Sequence, residues 1–157
     1  MSTEHSNDRI VVRRAAVDDL DELAPLFDAY RRFYDKPADL ELARRYLQER
    51  LERNESVVFV AAHGDPLRLV GFTQLYGTFC SVAATPYMVL YDLFVVPTAR
   101  RRGVAQALMQ AAEDHARTHG YSRLELQTAR TNHQAQALYE ARGWERDEAF
   151  FVYAKRF

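Results

Sequence analysis

The stretch from Leu90 to Met109 constrains the fold more than any other part of the chain. Leu90-Tyr91-Asp92-Leu93-Phe94-Val95-Val96 is a short apolar run, β-branched and aromatic, broken by a single acid and stopped by Pro97. That pattern predicts a buried strand. Val104, Ala107, Leu108, Ala111 and Ala112 then recur at helical spacing, which predicts an amphipathic helix. Between the two lies Arg100-Arg101-Arg102-Gly103, a cationic turn holding the only glycine of the stretch. A strand that feeds a helix through such a turn aims several backbone N–H groups at one spot, and the helix N-terminus adds partial positive charge there. This is the chemistry of an anion site, suited to a phosphate or pyrophosphate. Gly103 fits because a side chain would hold the ligand away from those amides. No Gly-Lys-Ser/Thr follows, as a P-loop requires, and no Gly-x-Gly-x-x-Gly opens the helix.

At 157 residues the chain is sized for one domain with a proper hydrophobic core. Its 48% hydrophobic and 27% charged residues argue against disordered and membrane classes. A net charge of −1 offers no general attraction to nucleic acid or to an anionic membrane. Cys80 is the sole cysteine, which rules out an internal disulfide, and it reads as a small residue near a strand end rather than a nucleophile. The first nine residues are polar, without the apolar segment of a signal peptide, and the expectation is a cytoplasmic protein.

A polar tail is expected over residues 1–9, followed by a strand at Ile10–Arg14. Asp18 is the predicted N-cap of a helix whose apolar stripe runs Leu20, Leu23, Ala24, Phe27, Tyr30, Tyr34, with Phe33 packed on the sheet. A second helix is predicted from about Asp39 to Asn54, with Leu40, Ala43, Leu47 and Leu51 inside. The period then changes from 3.6 to 2. Val57–Ala62 and Leu67–Phe79 read as strands joined by the turn His63-Gly64-Asp65-Pro66, where His63 is a solvated turn residue. Cys80–Pro86 reads as a loop. The central helix is predicted to stop at His119-Gly120, before an alternating strand from Leu124 to Thr128. A last helix ends at Gly143, and Trp144-Glu145 and Ala149–Lys155 read as strands. The predicted order β-α-α-β-β-β-α-β-α-β-β describes a single α/β domain over residues 10–157, with a mixed sheet antiparallel in its first half and a βαβ crossover around the central helix.

Two motifs carry a resemblance. Arg100-x-x-Gly103-x-Ala105 is similar to the acetyl-CoA pyrophosphate loop of the GNAT N-acetyltransferase superfamily. Asn132-x-x-Ala135-x-x-Leu138-Tyr139-x-x-x-Gly143-Trp144 resembles the Asn-x-x-Ala-x-x-Leu-Tyr-x-x-x-Gly-Phe pattern that follows the fifth strand in that superfamily, with Trp144 replacing the final aromatic. The element order matches as well. The resemblance implies a GNAT-like fold with splayed central strands, a bulge in the fourth strand, and acetyl-CoA as co-substrate without a metal. It implies that backbone groups of Leu93, Phe94 and Val95 bind the pantetheine arm and that one of those amides faces the developing oxyanion. It places Arg100, Arg101, Arg102, Gly103, Val104, Ala105 and Gln106 on the pyrophosphate and Asn132 on the cofactor arm. Tyr139 is then the acid that protonates the leaving thiolate, a task for a phenol whose ordinary pKa is about 10.

Asp92 is the candidate general base, because a lone acid in an apolar strand is costly unless it is paired or functional, and burial makes it a better proton acceptor. An acid hydrogen-bonded to neighbouring backbone is the structural alternative. The run Tyr91–Val95 looks most like the polyamine and small histone/polyamine acetyltransferases, although Tyr91 stands where polyamine enzymes often carry an acid. Tyr30, Tyr34 and Tyr91 are candidate acceptor-binding residues, since tyrosines can hold a cation or a flat apolar group. The function expected is acetyl transfer to a primary amine of a small molecule. The alternatives are a protein lysine or N-terminal acetyltransferase and a non-catalytic acyl-CoA-binding module. The apolar, aromatic run Phe150–Phe157 leads to the expectation of a homodimer that pairs or covers a terminal strand.

Overall fold

Two long strands dominate the computed structural model, which describes residues 9–157. The strands are β1 (Val11–Arg14), β2 (Val57–His63), β3 (Arg68–Cys80), β4 (Thr85–Val95) and β5 (Leu124–Glu125). The helices are α1 (Leu20–Phe33), α2 (Leu40–Glu52), α3 (Val104–Thr118) and α4 (His133–Ala141). The strands lie in the order β1-β2-β3-β4-β5, antiparallel as far as β4, with β5 parallel to β4 across the connection that contains α3. This is the mixed α/β sheet that the element pattern predicts. The chain divides into one unit through Leu126 and a second over Gln127–Phe157. Of the expected tail, residues 1–8 lie outside the described residues.

Strand alternation gives the sheet two apolar faces. Val58, Val60, Phe72 and Phe94 pack against Leu20, Leu23 and Phe27 of α1 and Leu47 of α2. On the opposite face Phe59, Ala61, Leu93 and Val95 meet Val104 and Leu108 of α3. Gly71 on β3 permits that second contact. A Cβ there would lie 2.8 Å from the Phe94 carbonyl oxygen and 3.3 Å from both Leu108 Cδ1 and Val104 Cγ1.

The β3–β4 ladder contains one irregularity that decides the site. Leu75 pairs with Leu90 and Gln74 with Asp92, so Tyr91 is an extra residue in β4. Gln74 and Leu75 are adjacent and point to opposite faces, so Leu90 and Asp92 are also thrown onto opposite faces. Without the bulge they would share one. Asp92 therefore joins Phe72 and Phe94 beneath α1 instead of following Leu90 to the α3 side.

Several expectations are corrected. The N-terminus of α1 is not capped by Asp18. A 3-10 turn over Val17–Asp19 precedes it, and the Asp19 carboxylate accepts from the Ala16 N–H at 2.8 Å while pairing with Arg13 at 2.6 Å. Phe33 is not packed on the sheet but 62% exposed, because it ends α1 on the side away from the apolar stripe. The loop before β4 shrinks to Ser81–Ala84, since Thr85 and Pro86 already pair with Cys80 and Phe79. The strand predicted over Leu124–Thr128 holds for two residues only. Neither Trp144-Glu145 nor Ala149–Lys155 forms a strand, and among the described residues none occurs after Glu125. A strand exists only by pairing, and the only regular element of the second unit is α4, which offers no ladder. Phe150, Phe151, Val152, Tyr153 and Phe157 are exposed.

Candidate active site

The turn after β4 takes the shape that its residues favour. Pro97 opens a single 3-10 turn, Ala99 is buried as its anchor, and the chain reaches α3 through two left-handed residues, Arg101 (φ 63°) and Gly103 (φ 79°). Gly103 is the helix N-cap. A Cβ there would meet nothing closer than Gln106 Oε1 at 3.9 Å, so the backbone conformation, not crowding within the chain, is what favours glycine. The first intrahelical bond runs from the Ala107 N–H to the Gly103 carbonyl at 3.0 Å. The amides of Val104, Ala105 and Gln106 thus head a 15-residue helix with no partner in it, the arrangement that attracts an anion.

The three arginines do not act alike. Arg100 turns back on the strand: its Nε donates to the Val95 carbonyl at 3.0 Å, and its guanidinium lies 6.0 Å from the centre of the Phe94 ring. Arg101 and Arg102 line a hollow of about 270 Å³ with Ile10 and His63. His63 is the last residue of β2 and shares that hollow, a position its turn-like sequence context did not signal.

β4 itself supplies an open edge. It pairs with β5 only at Met88 and Val89, so from Leu90 to Val95 the ladder has a partner on the β3 side alone. In an antiparallel strand, alternate backbone groups face away from the partner, which leaves groups of the Leu93–Val95 segment directed to the unpaired side. At the bulge the Asp92 carbonyl is satisfied by Thr73, whose hydroxyl donates to it at 2.8 Å.

The Asp92 carboxyl is 6% exposed and lies in a polar seam under α1. Gln74 Nε2 donates to its Oδ2 at 2.9 Å, and the Tyr30 side chain lies close enough to act on its charge. Burial pushes the carboxyl above its ordinary value, and the Gln74 hydrogen bond first, then the nearby Tyr30 hydroxyl, pull it part of the way back. Tyr30 is driven far above the usual phenol range, first by burial and then by the Asp92 charge. Its ring packs edge-on against Phe72 and Phe94 at 5.8 and 6.1 Å and against the Tyr34 ring at 5.1 Å. Tyr34, the C-cap of α1, is 56% exposed. Beside Gln74 on the same strand, the Tyr76 hydroxyl meets Tyr46 of α2 at 2.6 Å. Tyr91, pushed outward by the bulge, is 66% exposed with its ring 5.4 Å from that of Tyr76.

The structure thus brings Asp92 beside Tyr30, with the Tyr34 ring against that of Tyr30, and places Tyr91 on the outside of the same strand. Gln74 belongs to that group and was not singled out from the sequence. Its signal was available: Thr73-Gln74 interrupts the apolar run of β3 and faces the one acid of β4.

In the second unit, Asn132 is the N-cap of α4, its Oδ1 accepting from the Ala135 N–H at 3.1 Å. Capping accounts for one end of its amide and leaves Nδ2 as the group able to meet a ligand. Tyr139 lies on the same helix, half-buried, with its ring 6.1 Å from Trp144. Gly143 (φ 83°) turns the chain so that the Trp144 N–H caps the Tyr139 carbonyl at 3.0 Å. Among the described residues no cluster of three or more His, Cys, Asp or Glu side chains is placed to hold a metal, and no helix is long and apolar enough to cross a membrane.

Comparison with known proteins gives this geometry a family. Residues 22–144 match the model of the acetyltransferase (GNAT) family. An uncharacterized N-acetyltransferase of Bacillus subtilis strain 168, YhfO, is 44% identical over 142 residues, covering 90% of this chain and 94% of its own. The crystal structure of a probable acetyltransferase superposes with a TM-score of 0.87 at 39% identity, over 95% of this chain and 97% of that one. An aminoglycoside N-acetyltransferase, AAC(6')-Iy in complex with CoA, shares the fold at a TM-score of 0.81 and 23% identity, over 99% of this chain and all (100%) of its own.

Proposed function

The chain belongs to the acetyltransferase (GNAT) family, and from that premise we propose that it transfers acetyl from acetyl-CoA to a primary amine of a small molecule. The observation that carries this reading is the bulge at Tyr91. It delivers a buried, ionisable carboxyl to one face of β4 while the same strand runs on, unpaired on its far side, into a cationic helix N-terminus.

In this reading, the amides of Gly103, Val104, Ala105 and Gln106, together with Arg100, Arg101 and Arg102, hold the pyrophosphate of acetyl-CoA. The left-handed backbone at Arg101 and Gly103 and the unbonded first turn of α3 fit such a ligand. The open edge at Leu93, Phe94 and Val95 takes the pantetheine arm. The Val95 carbonyl is already engaged by Arg100, so the edge contacts fall on the other groups of that segment. Asn132 contributes through Nδ2, its Oδ1 being occupied as a cap. Acetyl-CoA supplies an acyl thioester. A backbone amide of β4 steadies the charge that develops on the acyl oxygen. Asp92 takes the proton that an ammonium must lose to become a nucleophile, and Tyr139 gives one to the departing sulfur.

Tyr34 and Tyr91, exposed beside the Asp92 seam, form the wall that meets the acceptor. Tyr30 serves through Asp92 more than through direct contact, because its ring is committed to the core. The acceptor we propose is a polyamine, amino acid or amine metabolite. Tyr91 in place of an acid removes one anchor for a long polycation, which favours an acceptor with a single reacting amine. We propose further that the exposed aromatic segment Phe150–Phe157 is covered by a second copy of the chain.

A thiol-release screen with acetyl-CoA against amines, amino acids, polyamines and a histone peptide tests the reading. The expected result is CoA release above hydrolysis with small primary amines. Release with the histone peptide alone, or with no amine, would overturn it.

A further inference from the structure

The bulge at Tyr91 also chooses the neighbour of Asp92. Without the extra residue Gln74 would stand opposite Tyr91, and with it Gln74 stands opposite Asp92. The two side chains share one face of the sheet, and Gln74 Nε2 donates to Asp92 Oδ2 at 2.9 Å. Thr73, the preceding residue, holds the main chain of Asp92 by donating from its hydroxyl to the carbonyl oxygen at 2.8 Å. Both Thr73 and Gln74 are fully buried. An amide is a poor way to fill that space. Gln74 Oε1 has no hydrogen-bond partner among the described residues, and a methionine of the same length would occupy the strand without that cost. What the amide adds is a donor aimed at the carboxyl. The other ionisable groups that face Asp92 are phenols. Tyr30 comes from α1 and Tyr76 from β3, and burial drives both far above the ordinary phenol range, so they stay neutral while a carboxyl titrates. Tyr46 of α2 meets the Tyr76 hydroxyl at 2.6 Å, and Arg50 stands beyond it, 4.9 Å from the centre of the Tyr46 ring.

We propose that Gln74 is the positioning residue of the general base: its Nε2–H occupies Asp92 Oδ2, favours the carboxylate, and leaves Oδ1 to take the proton of the acceptor amine. The inference rests on Asp92 being that base. Nε2 carries donors only, so it stabilises the carboxylate over the acid and opposes the effect of burial. A proton placed on Oδ2 would set an O–H against an N–H, two donors with no acceptor between them. The proton therefore goes to Oδ1. An N–H bond of the ammonium breaks, its electron pair stays on nitrogen, and an O–H bond forms at Oδ1, while Gln74 keeps its bond to Oδ2. When Asp92 later gives that proton to solvent water, the carboxylate is restored on the same donor. Thr73 fixes the backbone from which the carboxyl projects, so β3 holds Asp92 at its main chain and at its side chain. Gln74, fully buried, acts through Asp92 alone.

Carboxyl ¹³C NMR, with Asp92 identified by the signal missing in Asp92→Asn, reads the contact without turnover. Gln74→Met keeps the length of the side chain and removes the donor, so Asp92 should titrate about one pH unit higher. Thr73→Val removes the hydroxyl on the Asp92 carbonyl and leaves Gln74 in place, so the carboxyl should titrate as in the unaltered chain. An unshifted Asp92 in Gln74→Met would overturn the proposal. So would an equal shift in both variants, because a loosened seam would then explain it without the donor. The unaltered chain offers the same test with no substitution. The side-chain amide signals of Gln74 should move with the midpoint of Asp92, and signals that ignore that titration would overturn the proposal as well. With turnover, acetyl-CoA and n-butylamine serve as the probe pair for thiol release. In Gln74→Met the acidic limb of kcat should rise by the same pH unit, about a 10-fold loss at a fixed pH on that limb, and the loss should shrink as pH rises. A loss of equal size at every pH would mark a packing role and overturn the proposal. An NMR shift without a matching shift of the limb would remove Asp92 as the base, and the role of Gln74 with it, while leaving acetyl transfer standing. Absence of thiol release by the unaltered chain with every amine tried would instead strike at acetyl transfer.

Discussion

Gly71 and Gly77 lie on the same strand, and the fold asks different things of them. A Cβ on Gly71 would stand 2.8 Å from the Phe94 carbonyl oxygen, with Leu108 Cδ1 and Val104 Cγ1 at 3.3 Å. The two side-chain carbons can give by a few tenths of an ångström. The carbonyl is backbone of β4 and moves only with its strand. Overpacking of this kind costs about 1–3 kcal/mol. Replacing glycine by alanine also narrows the unfolded ensemble, which offsets about 0.4–1 kcal/mol. Gly71→Ala is therefore expected to lose about 1–2 kcal/mol net. Gly77 has only the Tyr121 hydroxyl within 4 Å, at 3.9 Å, so Gly77→Ala keeps the entropic gain and should be neutral to about 1 kcal/mol more stable. Urea unfolding followed by far-ultraviolet circular dichroism measures both. The midpoints should move in opposite directions at a common m value. Because Phe94 belongs to the proposed pantetheine edge, Gly71→Ala should also weaken CoA binding and Gly77→Ala should not. Equal stabilities for the two variants, within about 0.5 kcal/mol, would refute the claim that α3 reaches the sheet through Gly71.

Tyr139→Phe keeps the ring beside Trp144, so stability should change little, while kcat falls about 10²–10⁴-fold where chemistry limits the rate; steady-state and single-turnover thiol release decide it. Burial raises Asp92, so the folded chain binds this proton more tightly than the unfolded chain does. Its contribution to stability is then present below the ordinary value of 3.8 and falls as pH rises from there through the folded value. Urea titrations across that window should show the fall, Asp92→Asn should lose it, and thiol release should rise with pH as the base ionises. Light scattering at micromolar concentration should give a dimer that becomes monomeric when Phe151 onward is deleted from a still-folded chain.

Much of this fold is legible in the sequence because local chemistry and tertiary demand agree. Asp39 caps α2 by accepting from the Leu42 N–H, α3 stops at His119-Gly120, and the turn at Gly103 adopts the left-handed backbone that glycine permits. What escaped depends on pairing. The aromatic run at Ala149–Lys155 has the composition of a strand, but composition cannot supply a ladder partner. The bulge expected in the fourth strand from the resemblance is present, but nothing local places it at Tyr91, since Leu90, Asp92 and Phe94 look like one alternating set, and only the register with β3 separates Leu90 from the other two. For that reason Asp92 stood out as a lone acid while its partner Gln74 did not. Gly71 escaped on the same ground, because its crowding comes from β4 and α3, both distant in sequence.

Calorimetric titration of CoA into Gly103→Glu, beside Gly103→Ala and the unaltered chain, tests the anion-binding turn most directly. Both substitutions carry the strain of a side chain at φ 79°, about 1–2 kcal/mol, so their difference isolates the charge. A Cβ there meets only Gln106 Oε1, at 3.9 Å, and a negative charge at a helix N-terminus favours the fold, so the variant should remain folded. With its carboxylate where the pyrophosphate belongs, CoA binding should weaken by about 2 kcal/mol or more relative to Gly103→Ala, roughly 30-fold. A folded Gly103→Glu chain that binds CoA as tightly as the unaltered one would contradict the assignment.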